Sequence, residues 1–514
     1  MGLISERVGD VKKALRREGT EARRDLRRRG FGGRSSLCCL VLVSIAALAA
    51  SGCKPVGPDF VRPNPQMPAG WIAPTSQPTT QQSVVTETSP TELEQWWTTL
   101  NDPLLNELIR RAIESNLDLK LAESRVLAAR ESRVIVSSGL YPNVGSSASY
   151  RRSVTADRGR DLFQAGLDAA WELDIFGGTR RSVEASEANL QSAIENQRDV
   201  LVTLTSEVAL NYIDLRGFQN EIRIARQNLE IQRQSAAITR RRFAGGQGFV
   251  GGLDVANSDA AVASIEAQIP SLEASVRQSI YSLSVLLGQP PAALLPVLSE
   301  PAAIPRTPRQ IPVGLPSDLL RRRPDIRRAE ADLHSATAQI GVATAALYPS
   351  FNLAGSIGVS ANSVSSLFNW NNSLWSIGPG VSWPIFEAGR LQANVRLQTE
   401  LQRQSFLSYQ RTLLVALQDV ENALINYEKD QQRRESLVAA VDASRRSLNI
   451  STSLYTEGQT LYLDVLTAQR SLISSEDALV QSDRNIAADL VSLYKALGGG
   501  WPLPPEEQAP TTQP

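Results

Sequence analysis

Between Arg390 and Glu457 the chain runs for 68 residues without a Gly or a Pro, and from Thr179 to Ala244 the only such residue is Gly217. These two residue types interrupt helices most strongly, so each stretch predicts one continuous helix. At about 1.5 Å of rise per residue the longer one reaches roughly 100 Å, well beyond the diameter of a globular domain. No compact core accommodates it. Leu201, Val208, Leu215, Ile222, Leu229, Ala236 and Phe243 fall seven apart in the first stretch. Leu413, Val420, Tyr427, Arg434, Val441, Leu448 and Tyr455 do the same in the second, at a constant offset of 212. A seven-residue repeat of this length implies left-handed coiled-coil packing against neighbouring helices. Asn211, Thr239, Ser444 and Ser451 make the seam more polar than a leucine zipper. Taken alone, these helices fit a solid structural coiled coil as well as a hollow one.

The two stretches belong to an internal duplication. Tyr141-Pro142 recurs as Tyr348-Pro349, preceded by Ala122-Glu123 and Ala329-Glu330, at an offset of 207. Ile175-Phe176 with Arg180 recurs as Ile385-Phe386 with Arg390, Leu253-Asp254-Val255 as Leu463-Asp464-Val465, and Leu287-Gly288 as Leu497-Gly498, all at 210. Each half therefore predicts a helix, two short segments, a very long helix and a return helix. The first repeat is placed at 101–288 and the second at 317–498, with a Pro-rich linker at 289–316. Residues 53–100 predict an extended segment, and 499–514 a disordered tail after Gly498-Gly-Gly-Trp-Pro.

The short segments alternate. Phe163, Ala165, Leu167, Ala169, Trp171, Leu173 and Ile175 interleave with Gln164, Gly166, Asp168, Ala170, Glu172 and Asp174. Phe351 to Ser360 repeats the pattern, Trp375, Ile377, Val381, Trp383 and Ile385 share one parity in another segment, and Val144 to Tyr150 gives a weaker version. Runs of about ten residues, apolar on one side and polar on the other with aromatics near the ends, are what membrane β-barrel strands require. About eight strands are the practical minimum for a closed barrel, so four oblige the chain to pool strands with other copies. Asp168, Glu172 and Asp174 then face the barrel lumen, where carboxylate rings favour cations; solvated polar filler is the plain alternative.

The full chain of 514 residues carries 53 Lys+Arg and 53 Asp+Glu, a formal net charge of zero, which argues against a nucleic-acid partner. That balance hides a polarity. Residues 1–52 hold 11 basic and 5 acidic groups, leaving 42 against 48 and a net of −6 beyond them. The basic stretch leads into the 14-residue apolar run Leu37–Ala50, the length of a signal-peptide core rather than of a membrane span. Ala50-Ser51-Gly52-Cys53 resembles a bacterial lipobox, so residues 1–52 are expected to be a signal peptide and Cys53 the lipidated (palmitate-bearing) N-terminus of the mature chain.

Val56-Gly-Pro-Asp-Phe-Val-Arg-Pro63, Trp96-Trp97 with Asp102-Pro103-Leu104, Leu319-Leu-Arg-Arg-Arg-Pro-Asp-Ile326, Tyr455 to Arg470, and Leu493-Tyr-Lys-Ala-Leu-Gly-Gly-Gly-Trp501 carry a family resemblance. The chain resembles the TolC/NodT-type outer-membrane factors, lipoproteins of resistance-nodulation-division efflux systems, over residues 53–501. The resemblance implies a mainly α fold with a small β part: a homotrimeric α-barrel of long coiled-coil helices joined to a 12-stranded outer-membrane β-barrel, four strands per chain. It implies a small equatorial domain, built from parts of 54–103, 289–316 and the C-terminal region. It also implies a lipid-anchored location in the outer membrane of a Gram-negative bacterium, and partners in a periplasmic adaptor and an inner-membrane pump. Function becomes passive, gated conduction of drugs or other small toxic compounds. The periplasmic mouth falls at the turns Ala244–Leu253 and Gly458–Leu463. The family's closing Leu maps to Leu463 and its acidic position to Thr467, with Asp464 displaced and Tyr455 and Tyr462 as supporting aperture residues.

Catalysis finds little material. The chain has one histidine, His334, and three cysteines, and no paired metal ligands or nucleophile motif accompany them. No metal site, cofactor or enzymatic activity is expected. The other readings are the outlet of a type I protein secretion system and a channel-less coiled-coil scaffold.

Overall fold

The computed structural model describes residues 54–72, 93–155, 158–246, 250–308, 316–367 and 369–502. The expected signal peptide and Cys53 lie outside these residues. The main elements are α1 (Pro103–Ser115), α2 (Leu117–Ser138), β1 (Asn143–Thr155), β2 (Arg158–Leu173), α3 (Gly178–Ala244), α4 (Gly252–Leu286), α5 (Pro324–Ala345), β3 (Ser350–Ala361), β4 (Ser373–Ser382), α6 (Arg390–Glu457) and α7 (Tyr462–Ala496). The chain divides into two compact units.

Among the described residues the smaller unit comprises 54–57, Leu140–Arg181 and Gly341–Ala388. It is one antiparallel sheet in the order β1-β2-β3-β4, so each repeat supplies a hairpin and β2 pairs with β3 across the duplication. Trp171 Nε1 donates to the Leu140 carbonyl at 3.0 Å, and Trp383 Nε1 donates to the Leu347 carbonyl at 3.1 Å. The same bond thus closes the same end of both hairpins.

The larger unit comprises the described residues of Pro58–Gly139, of Ser182–Ile340 and of 389–502. The long helices begin and end where the glycines predict: α6 covers 68 residues and α3 covers 67. Their return helices, α4 and α7, are 35 residues each. In α6 every seventh residue from Leu413 is buried except Arg434, which pairs with Asp483 of α7 instead. In α3 the seam holds at Val208, Leu215, Leu229 and Ala236 but ends before Phe243, which is exposed. Arg226–Glu273, Arg233–Glu266 and Arg240–Asp259 pair at 2.9, 2.6 and 2.6 Å, three ionic rungs between α3 and α4. Such exposed pairs add register more than stability.

The core of this unit gathers Trp96, Leu105, Leu108, Ile109, Tyr212, Leu215, Leu283, Leu490 and Tyr494, with the Trp96 and Tyr494 rings stacked 5.3 Å apart. Each fully buried Leu or Ile here contributes about 1.5–3 kcal/mol. Asp102 caps α1, its Oδ1 accepting from the Leu104 and Leu105 amides at 3.0 and 3.2 Å, while Oδ2 accepts from the Tyr212 hydroxyl at 2.7 Å. The duplication extends to backbone detail. Gly288 and Gly498 both adopt positive φ, +66° and +72°, after the return helices. A Cβ there would lie 2.7 Å from the Ser115 carbonyl oxygen and 2.9 Å from that of Arg322, respectively.

One boundary differs from the sequence expectation. Residues 499–502, placed in the tail, are ordered against the core, and residues 503–514 lie outside the described ones; Trp501 is 1 % exposed. Its indole lies between the guanidinium groups of Arg198 and Arg327, 4.5 and 5.7 Å from the ring centre, and its Nε1 donates to the Arg322 carbonyl at 3.1 Å. Three glycines in a row suggested loss of structure; here they let the backbone turn tightly enough to seat the indole.

Candidate functional site

Two surfaces are candidates for function: the faces of the sheet and the tips of the long hairpins. Register sorts the sheet's side chains, because residues opposite one another on antiparallel strands share a face. One face carries Tyr150, Phe163, Leu167, Leu353, Ile357, Trp375, Ile377 and Val381. Contacts agree: the Tyr150 and Phe163 rings stack 4.7 Å apart. Trp375 is 75 % exposed in the single chain, a large apolar surface with no protein cover. The other face carries Gly145, Ser147, Gln164, Asp168, Glu172, Asn352, Ser356, Ser376 and Gly380. Here Ser147 Oγ donates to Asp168 Oδ2 at 3.2 Å, and the Ser356 and Ser376 hydroxyls lie 2.8 Å apart.

Asp168 and Glu172 therefore sit on the polar face, as their parity predicts. Asp174 does not continue it. β2 ends at Leu173, and the Asp174 carboxylate turns to the start of α3, accepting from the Thr179 and Arg180 amides at 3.0 and 2.9 Å and pairing with Arg180 at 3.2 Å. Unsatisfied amides at a helix N-terminus attract a carboxylate more strongly than a water-filled face does. Alternation in the sequence outlasts the strand.

At the tips, Leu253 and Leu463 occupy equivalent positions and are 73 % and 55 % exposed. Asp254 Oδ2 accepts from the Gly251 amide at 2.9 Å, and Asp464 accepts from the Thr460 hydroxyl. Both aspartates are thus engaged in starting their return helices. Thr467 Oγ1 donates to the Leu463 carbonyl at 2.8 Å, so its hydroxyl is turned to its own helix. Tyr455 and Tyr462, expected at the aperture, are 4 % and 2 % exposed and are buried between the helices. Burial, the larger influence, raises the Tyr462 hydroxyl above the ordinary tyrosine range, against hydrogen bonds from Ser235 and Gln232 that lower it.

What the two tyrosines do is join the hairpins. Gln232 Nε2 donates to the Tyr462 hydroxyl at 3.2 Å, and the Thr239 and Tyr455 hydroxyls meet at 3.3 Å. Arg242 donates to the Tyr455 and Thr456 carbonyls and lies over the Tyr455 ring, 4.6 Å from its centre. Gln232 and Arg242 of α3 donate to the second hairpin, and the Thr239–Tyr455 pair joins the same two elements. Arg242, Thr239 and Gln232 were absent from the sequence-derived site; their only signal is that they stand three and seven residues apart along one flank of α3.

His334 is not poised for catalysis. Its Nε2 faces Glu184 Oε1 at 3.0 Å and its ring stacks on Phe60 at 4.3 Å, fixing the N-terminal segment to α5. Among the described residues, no cluster of His, Cys, Asp and Glu is arranged to hold a metal, and no helix is long and apolar enough to cross a membrane.

Long paired hairpins, together with a sheet that is apolar on one face and polar on the other, define a class of long-helix proteins with a small amphipathic sheet. The chain belongs to the outer membrane efflux protein family, whose model matches residues 108–289 and 315–499. It is 31 % identical over 463 residues to nodulation protein T of Rhizobium leguminosarum bv. trifolii, covering 88 % of this chain and 96 % of that one. It is 30 % identical over 466 residues to the probable outer membrane lipoprotein SilC of Salmonella typhimurium, covering 90 % and 99 %. Among solved structures it is similar to the outer-membrane channel OprN, with a TM-score of 0.80 and 35 % identity over 87 % of this chain and 99 % of that one. The mainly helical fold with four strands per chain, the outer-membrane location and the efflux class that the sequence implied are those of this family.

Proposed function

We propose that three copies of this chain form the exit duct of a tripartite efflux pump, conducting drugs or other small toxic compounds passively to the exterior. The observation that carries the reading is the sheet. Among the described residues β1 and β4 have no strand beyond them. Open edges inside a bilayer are untenable, so a four-stranded sheet with a lipid-compatible face calls for closure by further copies. Three copies give twelve strands.

The helices support the same assembly. α2 leaves Leu121, Leu127, Val134 and Ile135 exposed, and α6 leaves Leu397, Leu401, Leu407 and Leu414 exposed. These apolar arcs are the flanks along which neighbouring copies meet. A periplasmic adaptor and an inner-membrane resistance-nodulation-division pump deliver the substrate, and the chain itself performs no chemistry. Leu463 narrows the periplasmic mouth. The Arg242–Tyr455 latch holds each protomer's hairpins together and so holds the mouth shut. Cys53 carries the lipid anchor, a role consistent with the name of the SilC relative.

The test is direct. The detergent-solubilised chain should contain three protomers per particle by light scattering and should conduct ions in a planar bilayer. A monomeric particle, or a trimer that never conducts, sinks the duct; the second result would leave the scaffold reading. A deletion strain that keeps full resistance to exported toxicants while a secreted protein is retained inside would favour the type I secretion outlet.

A further inference from the structure

The polar face of the sheet carries more than the two carboxylates. Arg151 lies opposite Leu162, and Arg160 lies opposite Ser153, so both arginines share the face of Asp168 and Glu172. They are diagonal neighbours near the β1–β2 tip, about 7–8 Å apart at the backbone. The carboxylates stand towards the opposite end, where the strands continue into helices: Asp168 is opposite Gly145. From residue 145 to residue 151 along β1 is about 20 Å. One end of the face is acidic, the other basic.

The two faces of the tip treat their arginines differently. Arg152, on the apolar face, has Asp161 directly opposite, with Arg152 Nε 3.9 Å from its carboxylate and the Tyr150 hydroxyl donating to it at 2.9 Å. That charge is offset within the chain. Arg151 and Arg160 have as register neighbours Ser149, Ser153, Thr155, Leu162, Gln164 and a further arginine, Arg158, and among the described residues neither makes an ion pair. Two like charges on one face of a strand pair repel each other unless a counter-ion lies between them. β3 and β4 contain no charged residue at all.

We propose that Arg151 and Arg160 form an anion-binding collar at the exit of the duct, so that the lumen is bipolar: carboxylates at the entry of the β-barrel and guanidinium groups at its mouth. This inference rests on the duct reading, in which the polar face lines the lumen and each charge is present three times. Rings of fixed charge in a narrow pore set which ions enter and from which side. The collar takes small multivalent anions, which bridge several guanidinium groups at once.

The experiment is single-channel recording of the full-length protein in a planar bilayer, with sodium tripolyphosphate added to each side in turn. The expected result is block at a concentration about tenfold lower from the strand-tip side than from the helix side. Arg151→Ser/Arg160→Ser should abolish this asymmetry, Arg151→Lys/Arg160→Lys should keep most of it, and Asp168→Asn should leave it intact. Equal block from both sides in the unaltered protein, or asymmetry that survives the double serine variant, overturns the collar while leaving the duct in place. A protein that forms no channel at all overturns the duct instead, and the collar with it.

Discussion

Arg242 of α3 and Tyr455 of α6, 213 residues apart in sequence, are joined twice: the guanidinium donates to the Tyr455 carbonyl and lies 4.6 Å from the centre of its ring. Each half of that arrangement reinforces the other, because the ring holds the guanidinium in the plane from which it reaches the carbonyls of Tyr455 and Thr456. Few other described contacts at the tips cross between hairpins, so a small number of bonds controls how far the second hairpin can move from the first.

Loss of Arg242 should therefore open the mouth. A cation–π contact and a charge-assisted hydrogen bond at a partly exposed site together contribute about 2 kcal/mol. Arg242→Gln should raise the resting conductance of reconstituted channels several-fold while leaving the helical circular-dichroism signal unchanged, since the cores of both hairpins are untouched. Tyr455→Phe, which loses only the Thr239 contact, should give a smaller rise. Conductance equal to that of the unaltered protein in Arg242→Gln would remove the latch from the gating account.

A second prediction concerns pH. Asp489 of α7 is pushed up to about 7, first by burial and then by the charge and hydrogen bonding of Asp430 across the helix pair. In the unfolded chain an aspartate titrates near about 4. Between these values the folded protein holds a proton that the unfolded chain has released, so this group's stabilisation is greatest at the acid end and is lost as pH rises to about 7. Burial raises Asp214, Glu221 and Asp477 in the same direction. Asp489→Asn cannot lose the proton. Its thermal midpoint relative to the unaltered protein should climb between about pH 4 and about pH 7; a difference that stays flat would show that Asp489 is not the titrating group.

The long helices and the strands were legible because their signals are local. Absence of Gly and Pro over 68 residues needs no partner to be read, and strand alternation is a property of neighbours in sequence. The latch was hidden for the opposite reason: nothing around Arg242 says that a tyrosine 213 positions later will lie beneath it. Asp174 was misplaced because parity continues past the end of β2, whereas the helix N-terminus that captures it becomes visible only when the chain turns. Trp501 was misplaced because a glycine run reads as an end, and its seat between Arg198 and Arg327 is assembled from two separate helices.

The duplicated glycines offer a stability test. Gly498→Ala puts a Cβ 2.9 Å from the Arg322 carbonyl oxygen at a residue with φ of +72°. Strain and crowding together should cost about 1–3 kcal/mol, lowering the thermal midpoint by several degrees. Gly70→Ala, where a Cβ meets nothing within 4 Å, is the matched control and should be neutral or slightly stabilising. Equal midpoints for the two variants would mean that the turn after α7 relaxes freely.

The last prediction addresses assembly. Leu121 on α2 and Leu401 on α6 are 50 % and 40 % exposed in the single chain, each within an apolar arc on a helix that is otherwise packed or charged. If these arcs are the flanks of adjoining copies, each half-buried Leu loses its remaining exposure on assembly and contributes about 0.7–1.5 kcal/mol per contact, repeated at every interface around the ring. A glutamate at either position forfeits that contribution and adds an unpaired charge that must be desolvated. Leu121→Glu and Leu401→Glu should therefore shift the detergent-solubilised protein from trimer towards monomer by light scattering, whereas Leu121→Met should remain trimeric. Circular dichroism separates this from unfolding, because the hairpins within each chain pack through the opposite sides of the same helices and should keep their helical signal. A trimer population unaltered in both glutamate variants would move the interface elsewhere on the chain.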